Sequence, residues 1–159
     1  GEWLRAQHVA RETMIQDTHY NFGQVWHINC HSMPAGSAKP KRPSGFAEER
    51  NRQIDFVIGD RDGTSCDRAF THALRDFLKG IGYTVTINDP FKGVELVGRY
   101  SNPARGFHSL QVEINKSLYM DEESNTKSAD FEKLRLDIES LVAFSADFVR
   151  SNLVDLAAD

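Results

Sequence analysis

Glu113 is the residue in this sequence best placed to act as a general base. It lies in the segment 110–115, LQVEIN, where apolar and polar residues alternate with the two-residue period of a β-strand. If the polar face of this strand lines a cleft, a buried carboxylate there can exchange protons with a water or a substrate. The alternative is the solvated outer face of an edge strand. Gln111 and Asn115 favour the cleft, because one acid between two amides suits a hydrogen-bonded environment.

His31 is the candidate metal ligand. It follows the apolar segment 25–30, VWHINC, which is typical of a central strand covered on both faces. An imidazole held at a strand end is a rigid nitrogen donor for zinc, although a histidine in such a position is more often a structural hydrogen-bonding residue. His27, on the same face, is interpreted as a packed histidine. Cys30 has no partner at metal-site spacing and is interpreted as a core residue.

Two arginines are candidates for binding an anionic substrate. Arg61 lies in the turn 60–63, DRDG, and Arg99 lies in the irregular segment 89–106. A guanidinium group binds a carboxylate through two parallel hydrogen bonds. The alternatives are an ion pair between Arg61 and a neighbouring aspartate, and an ordinary loop position for Arg99. The DRDG turn lacks the later ligands of a calcium loop.

The elements that must position these residues alternate along the chain. Apolar segments predict four strands, at residues 25–30, 54–59, 83–88 and within 107–122. Capping signals and helical spacing predict helices at residues 2–18 and 64–80 and from residue 128 onward. Two long irregular segments, 33–52 and 89–106, remain, the second with a short element near Val94. Strands separated by helices predict a three-layer α/β fold with a mostly parallel or mixed sheet flanked by helices.

The predicted fold brings the polar candidates to one edge of the sheet. Ligands of open α/β sheets bind beyond the carboxyl ends of the strands. Five polar residues from separate parts of the sequence fall at or just past predicted strand ends: His31, Asp60, Arg61, Asn88 and Asn115. The sequence contains neither a glycine-rich phosphate loop nor a Gly-x-Ser-x-Gly nucleophile elbow.

Composition excludes several classes of function. The chain has 159 residues, of which 40% are hydrophobic and 26% charged, and this is expected for a single globular domain. A formal net charge of −4 argues against a nucleic-acid partner. A membrane partner is not expected, because no apolar run approaches the roughly 20 residues needed to span a bilayer. The sequence shows no secretion signal, so Cys30 and Cys66 are expected to be reduced thiols in a cytoplasmic protein.

Three stretches of the sequence, taken together, carry a family resemblance. They are WHINCHSMPAG (26–36), DFVIGDRDGTSC (55–66) and NDPFKGVELVGRYSNPARGFHSLQVEINKSLYMDE (88–122). In this order they resemble the N-formylglutamate amidohydrolase (N-formylglutamate deformylase) family. The resemblance implies a zinc-carboxypeptidase-like fold and hydrolysis of the amide of an N-acyl amino acid, with N-formylglutamate as the expected substrate. Histidine degradation is the usual setting of that family.

The resemblance also implies roles for individual residues. Glu113 corresponds to a glutamate that activates a zinc-bound water, and His31 to the last ligand of the zinc. From position and chemistry, we infer a second group that holds the carboxylate and carbonyl groups of a small anionic N-acyl amino acid: Arg61, Asn88, Arg99 and Tyr100.

The other zinc ligands of the family, a histidine and a carboxylate, are expected upstream of the region present here. Residues 1–159 are therefore interpreted as a single α/β hydrolase domain that lacks its N-terminal segment, and as inactive by themselves. Two other functions stay open: a non-catalytic ligand-binding or assembly module with a degenerate metal site, and an amidohydrolase for another N-acyl amino acid or peptide. The oligomeric state is not predicted.

Overall fold

A mixed four-stranded sheet forms the centre of the structure, a computed structural model that describes residues 2–39 and 53–156. Its strands are β1 (Val25–Met33), β2 (Phe56–Gly59), β3 (Val85–Ile87) and β4 (Phe107–Asn115), in the order β1-β4-β2-β3. β1 runs parallel to β4 and β3 runs parallel to β2, whereas β2 and β4 are antiparallel. A small hairpin of β5 (Met120–Asp121) and β6 (Thr126–Lys127) follows.

The described residues form four helices beside the sheet: α1 (Glu2–Phe22), α2 (Arg68–Gly80), α3 (Glu95–Arg99) and α4 (Phe131–Leu156). Short 3-10 turns lie at Ala35–Ser37, Pro103–Arg105 and Lys116–Leu118. The predicted α/β class, with a mixed sheet flanked by helices, is confirmed. In the described part of the chain no helix is long and apolar enough to cross a membrane.

The apolar face of the sheet carries the main core. Residues of even number on β4 and β2 point to this face, because strand side chains alternate between the two faces of a sheet. They pack against the inner sides of α2 and α4 in one buried cluster that includes Phe56, Ile58, Phe70, Leu74, Leu78, Leu110, Val112, Leu134 and Leu141. Burying side chains of this size stabilises the fold by about 1.5–3 kcal/mol each, before conformational entropy is counted. The opposite face of β4, which carries Glu113, is thereby left for the site.

Helix α2 begins later than the capping signal at Thr64 suggests. The carbonyl of Asp60 accepts hydrogen bonds from the backbone N–H groups of Thr64 and Ser65, both at 3.1 Å. These bonds hold residues 60–65 in a turn. The helix is capped instead by Asp67, whose carboxylate accepts a hydrogen bond from Ala69 N at 2.7 Å.

β1 differs from the covered central strand that its apolar sequence predicts. Among the described residues it pairs with β4 alone, so it is an edge strand. It also continues through His31 to Met33, because all nine residues of β4 have partners on it. Residues 30–32 are exposed, and the interpretation of Cys30 as a core residue is therefore wrong.

The two long irregular segments contain more structure than their composition predicts. The first forms the Ala35–Ser37 turn and buries Ala38 against Ile54 and Val57, and its residues 40–52 lie outside the described residues. The second contains α3, which begins directly after Val94, so the short element predicted there is confirmed. Buried Val97 anchors α3 on the site side of the sheet.

Candidate active site

Glu113 and His31 are neighbours across the β1–β4 pair. They are register partners on adjacent parallel strands and project from the same face of the sheet. The Nδ1 atom of His31 lies 3.9 Å from Oε1 of Glu113. The Glu113 side chain is 10% exposed, whereas that of His31 is 45% exposed. The pair therefore combines a buried carboxylate with an imidazole that solvent can reach.

Gln111 holds the carboxylate of Glu113 in place. Its side-chain N–H group donates a hydrogen bond to Oε1 of Glu113. Its side-chain oxygen accepts hydrogen bonds from Val94 N at 3.0 Å and from the amide of Asn29 at 3.3 Å. Because two donors face the oxygen, the amide nitrogen of Gln111 must point towards Glu113. Gln111 is 1% exposed, so its own side chain is closed to water.

A cleft of about 620 Å³ opens beside Glu113. Asp62, the segment from Ile87 to Val94, Gln111 and Glu113 line it. Its volume lies within the range of about 300–1,000 Å³ that small-molecule sites occupy. The cleft lies at the carboxyl ends of β2 and β3, which is where an open α/β sheet binds its ligands. Because β4 and its parallel partner β1 run antiparallel to β2, the carboxyl ends of β1 and β4 lie at the opposite edge of the sheet. The prediction that Asn115 shares one edge with Asp60 and Asn88 is therefore wrong.

Backbone contacts hold the 88–94 segment on the end of β2. Asn88 donates its backbone N–H to Ile58 O at 2.8 Å, and its side-chain amide exchanges two hydrogen bonds with Asp60, at 3.0 and 2.7 Å. Gly59 and Gly93 approach so closely that a Cβ built on Gly59 would lie 2.4 Å from Gly93 N. One wall of the cleft is thus built from fixed backbone.

Three of the candidate substrate-binding residues lie outside this cleft lining: Arg61, Arg99 and Tyr100. Arg61 lies against α3, where a Cβ built on Gly98 would be 3.0 Å from its Nε atom. Arg99 and Tyr100 line a separate depression of about 380 Å³. The Tyr100 hydroxyl is 3.3 Å from Nδ1 of His8. Asn88 lines the cleft together with Glu113, whereas Arg61 lines neither depression.

Two further polar residues near the site have structural partners. Asn115 is fully buried; its amide donates to Ile54 O at 2.9 Å and its side-chain oxygen accepts from Ser117 N at 3.0 Å. The Nδ1 atom of His27 is 2.9 Å from the Ser109 hydroxyl. Burial lowers the pKa of His27, and the charge of Arg11 lowers it further. His27 is therefore a packed, hydrogen-bonded histidine, as the sequence indicates.

Comparison with known proteins identifies the family. The sequence model of the N-formylglutamate amidohydrolase family matches residues 6–120. This chain belongs to the N-formylglutamate amidohydrolase family. The resemblance that the sequence stretches carry is thus confirmed, and the matched residues include His31, Glu113 and the whole described cleft lining.

Similar proteins include two named N-formylglutamate deformylase. The one from Pseudomonas putida is 35% identical over 69 residues, and the one from Pseudomonas aeruginosa is 34% identical over 74 residues. These matches cover 43% and 46% of this chain but 26% and 28% of those proteins. The crystal structure of N-formylglutamate amidohydrolase from Ralstonia eutropha JMP134 matches with a TM-score of 0.82 and 37% identity. It aligns with 93% of this chain, which spans 51% of that longer one.

The residues present in this amidohydrolase-family chain fit part of a zinc site. His31 and Glu113 offer a nitrogen and oxygen atoms of the kind that zinc binds. Within residues 2–39 and 53–156, however, no three His, Cys, Asp or Glu residues are grouped closely enough to hold a metal ion. The described residues thus supply one imidazole beside a carboxylate and not a complete ligand set.

Lys92 and Asp62 are cleft residues that sequence reasoning did not select. The Nζ atom of Lys92 lies 2.7 Å from Oδ2 of Asp62, and both side chains are more than half exposed. Lys92 follows the end of β3 by five residues, and Asp62 follows the end of β2 by three. The rule that ligands bind beyond the carboxyl ends of strands would have found both residues.

Proposed function

We propose that this chain carries part of the active site of an enzyme that hydrolyses N-formylglutamate to glutamate and formate. The observation that carries the proposal is Glu113: a buried carboxylate, oriented by Gln111, beside the imidazole of His31 and at the edge of a substrate-sized cleft. The names of the relatives support the substrate, since two of them are N-formylglutamate deformylases. A cytoplasmic location and a place in histidine degradation belong to the same proposal.

In the proposed reaction Glu113 is the general base. Its carboxylate takes a proton from the attacking water and delivers that proton to the amide nitrogen that departs, so glutamate leaves with a neutral amine. Gln111 binds Oε1 of Glu113, and this bond keeps the carboxylate turned to one position throughout the transfer. General acid–base catalysis of this kind contributes about 10²–10⁴-fold to the rate.

We propose that zinc is the cofactor and that His31 supplies one of its ligands. A bound zinc ion polarises the amide carbonyl and acidifies a water. The exposed imidazole of His31, close to Glu113, supports this assignment. Because the described residues hold no set of three ligands, the proposal requires further ligands from elsewhere in the full protein.

Four residues are proposed to hold the substrate: Arg61, Asn88, Arg99 and Tyr100. Asn88 is the member of this group that lines the same cleft as Glu113. Arg99 and Tyr100 line the separate depression. A contact with either arginine therefore requires a substrate group that extends out of the cleft. N-formylglutamate carries two carboxylates, so one can lie within the cleft while the other reaches an arginine.

The experiment that tests the proposal measures formate release from N-formylglutamate by the full protein and by its Glu113→Gln variant. Glutamine keeps the shape of the side chain and removes the base, so we expect kcat to fall at least about 10²-fold. Zinc content and substrate binding should stay near their wild-type values. Glu123→Gln, in the exposed hairpin turn, is the matched control and should keep full activity.

Near-normal turnover by Glu113→Gln would remove Glu113 from the mechanism. Assays of N-acetylglutamate and of N-formyl derivatives of other amino acids, run in parallel, define the acyl group and the amino acid. A full protein that hydrolyses none of these substrates would favour a binding module over an enzyme.

A further inference from the structure

Among the described residues that line the cleft, acidic side chains outnumber basic ones. Three carboxylate side chains line the cleft: Asp62, Asp89 and Glu113. Among the lining residues that the structure describes, Lys92 is the one with a basic side chain. Like charges repel, so a positive charge inside the cleft favours the entry of a substrate carboxylate.

The backbone of Lys92 is fixed close to Glu113. Its carbonyl accepts a hydrogen bond from Arg61 N at 2.8 Å. The next residue, Gly93, packs directly on the backbone of Gly59 and has a φ of +98°, a conformation that favours glycine. Two residues after Lys92, Val94 N is bonded to the same Gln111 side chain that holds Glu113. Glu113 and the segment that carries Lys92 are thus both hydrogen-bonded to the buried amide of Gln111.

The side chain of Lys92, in contrast, is free to change partner. Its Nζ atom binds Asp62 at 2.7 Å, but the lysine side chain is 56% exposed and the aspartate 59%. Exposed ion pairs contribute little to stability, because water and salt screen them. A ligand carboxylate can therefore replace Asp62 on Nζ at small cost.

We propose that Lys92 selects the substrate by binding one of its carboxylates, and that Asp62 is the counter-ion of Lys92 when no substrate is bound. The inference rests on the proposed amidohydrolase function, and it assigns to Lys92 the carboxylate that lies within the cleft. Asp62 competes with that carboxylate for Nζ, so it lowers the affinity for anions. The arginines outside the cleft lining remain candidates for the second carboxylate.

The test compares three substrates in the full protein: N-formylglutamate and its two monoamides, each of which lacks one carboxylate. In Lys92→Met we expect kcat/KM for N-formylglutamate to fall about ten- to a hundredfold, the loss expected for a charge-assisted hydrogen bond. The loss should appear mainly in KM. For the monoamide that lacks the carboxylate bound by Lys92, kcat/KM should be nearly the same in Lys92→Met as in the wild type. Lys92→Arg should retain most of the wild-type activity on N-formylglutamate.

The Asp62→Asn variant tests the expected change in KM in the opposite direction. Removing the competing carboxylate should lower KM for N-formylglutamate, and the same monoamide should be unaffected. Lys79→Met, at the exposed end of α2, is the matched control and should leave all three substrates unchanged. Equal losses on all three substrates in Lys92→Met, or a higher KM for N-formylglutamate in Asp62→Asn, would overturn the proposal.

Failure of the proposed function gives a different result. If the wild-type protein hydrolyses none of the three substrates, calorimetric titration with N-formylglutamate replaces the kinetic assay. Weaker binding by Lys92→Met than by the wild type then supports the role of Lys92. Equal binding, or none to either protein, counts against it.

Discussion

At the scale of single residues, the orientation of the Glu113 carboxylate depends on the side-chain amide of Gln111. Gln111 is buried and uses its oxygen for two donors and its nitrogen for Glu113. A buried donor or acceptor left without a partner costs about 1–3 kcal/mol. Replacing Gln111 by an apolar residue would leave Val94 N and the Asn29 amide without this acceptor, so the orientation of Glu113 and the stability of its surroundings depend on one side chain.

His108 shows how burial links a single residue to stability. It is 8% exposed, stacks on Trp26 with 3.9 Å between ring centroids, and accepts a hydrogen bond from Asp67 N at Nδ1. Burial lowers the pKa of His108, and the nearby charge of Asp67 opposes this shift only partly. The neutral ring is therefore the form that the folded state prefers.

We predict that the free energy of unfolding decreases as the pH falls below about 6.5, the usual pKa of a histidine. A histidine with a lowered pKa takes up its proton more readily in the unfolded state, so its contribution is fully present above that pH and is lost towards the lower folded-state pKa. Denaturant unfolding at several pH values between 5 and 7 measures the slope of the free energy of unfolding against pH. In His108→Asn the slope should be smaller, and what remains should reflect His27, whose pKa is also lowered.

Absolute stability is not the relevant comparison for His108→Asn, because the substitution also removes the ring that stacks on Trp26. The control is His72→Gln, on the exposed surface of α2, which should keep the wild-type slope. An unchanged slope in His108→Asn would show that His108 does not contribute to the acid sensitivity.

At the scale of elements, the geometry of the cleft depends on how the 88–94 segment meets β2. Gly59 ends β2 with its backbone against Gly93, and the hydrogen bonds of Asn88 and Lys92 fix the segment on either side. This junction sets the distance between the Lys92 ammonium and the sheet that carries Glu113.

We predict that Gly59→Ala destabilises the protein and impairs the site together. The added Cβ would lie 2.4 Å from Gly93 N and 2.6 Å from the Lys92 carbonyl carbon, and backbone atoms can relieve such contacts only by moving the segment. Overpacking of this kind costs about 1–3 kcal/mol. Thermal unfolding and kcat/KM for N-formylglutamate measure the two effects.

Gly80→Ala is the control for Gly59→Ala, because a Cβ at this helical position meets nothing within 4 Å. It should be neutral or slightly stabilising, since alanine favours helix over glycine by about 0.5–1 kcal/mol. Wild-type stability in Gly59→Ala would mean that the junction is looser than the structure indicates.

At the scale of the whole molecule, the site lies close to the edge of the sheet. β1, which carries His31, pairs with β4 alone among the described strands. The chain spans 51% of the related crystal structure's longer chain. The imidazole of His31 therefore lies on a strand with one unpaired side in the described structure, and the side chain is 45% exposed.

We predict that residues 1–159 by themselves bind zinc weakly or not at all and do not hydrolyse N-formylglutamate. A catalytic zinc ion takes three protein ligands and an open position, and the described residues contain no group of three candidates. Metal analysis and formate release, measured on this polypeptide after removal of adventitious metal and addition of zinc, give both readouts. The full protein and its His31→Ala variant are the comparison, and the variant should lose zinc.

Tight one-to-one zinc binding with turnover by residues 1–159 would contradict this prediction. It would place the remaining ligands within this chain, and Asp60 and His27 would be the first residues to substitute.

Local patterns in the sequence predicted much of the fold. The alternation in LQVEIN sets the face on which Glu113 lies, because strand side chains alternate regardless of what surrounds them. The apolar spacing of α2 predicts its packing face in the same way, and the buried residues Phe70, Leu74 and Leu78 confirm it. Predictions from local periodicity were accurate where one face of an element is buried and the other is not.

Tertiary structure decided the composition of the site. The sequence of β1 is typical of a central strand, but β1 lies at an edge of the described sheet, because strand order depends on which distant segments pair. His31 is the register partner of Glu113 although 82 positions separate them. The contact of Lys92 with Asp62 requires the 88–94 segment to cross the end of β2. Such contacts arise from pairing and packing between segments far apart in the chain, so residue types and periodicity alone do not determine them.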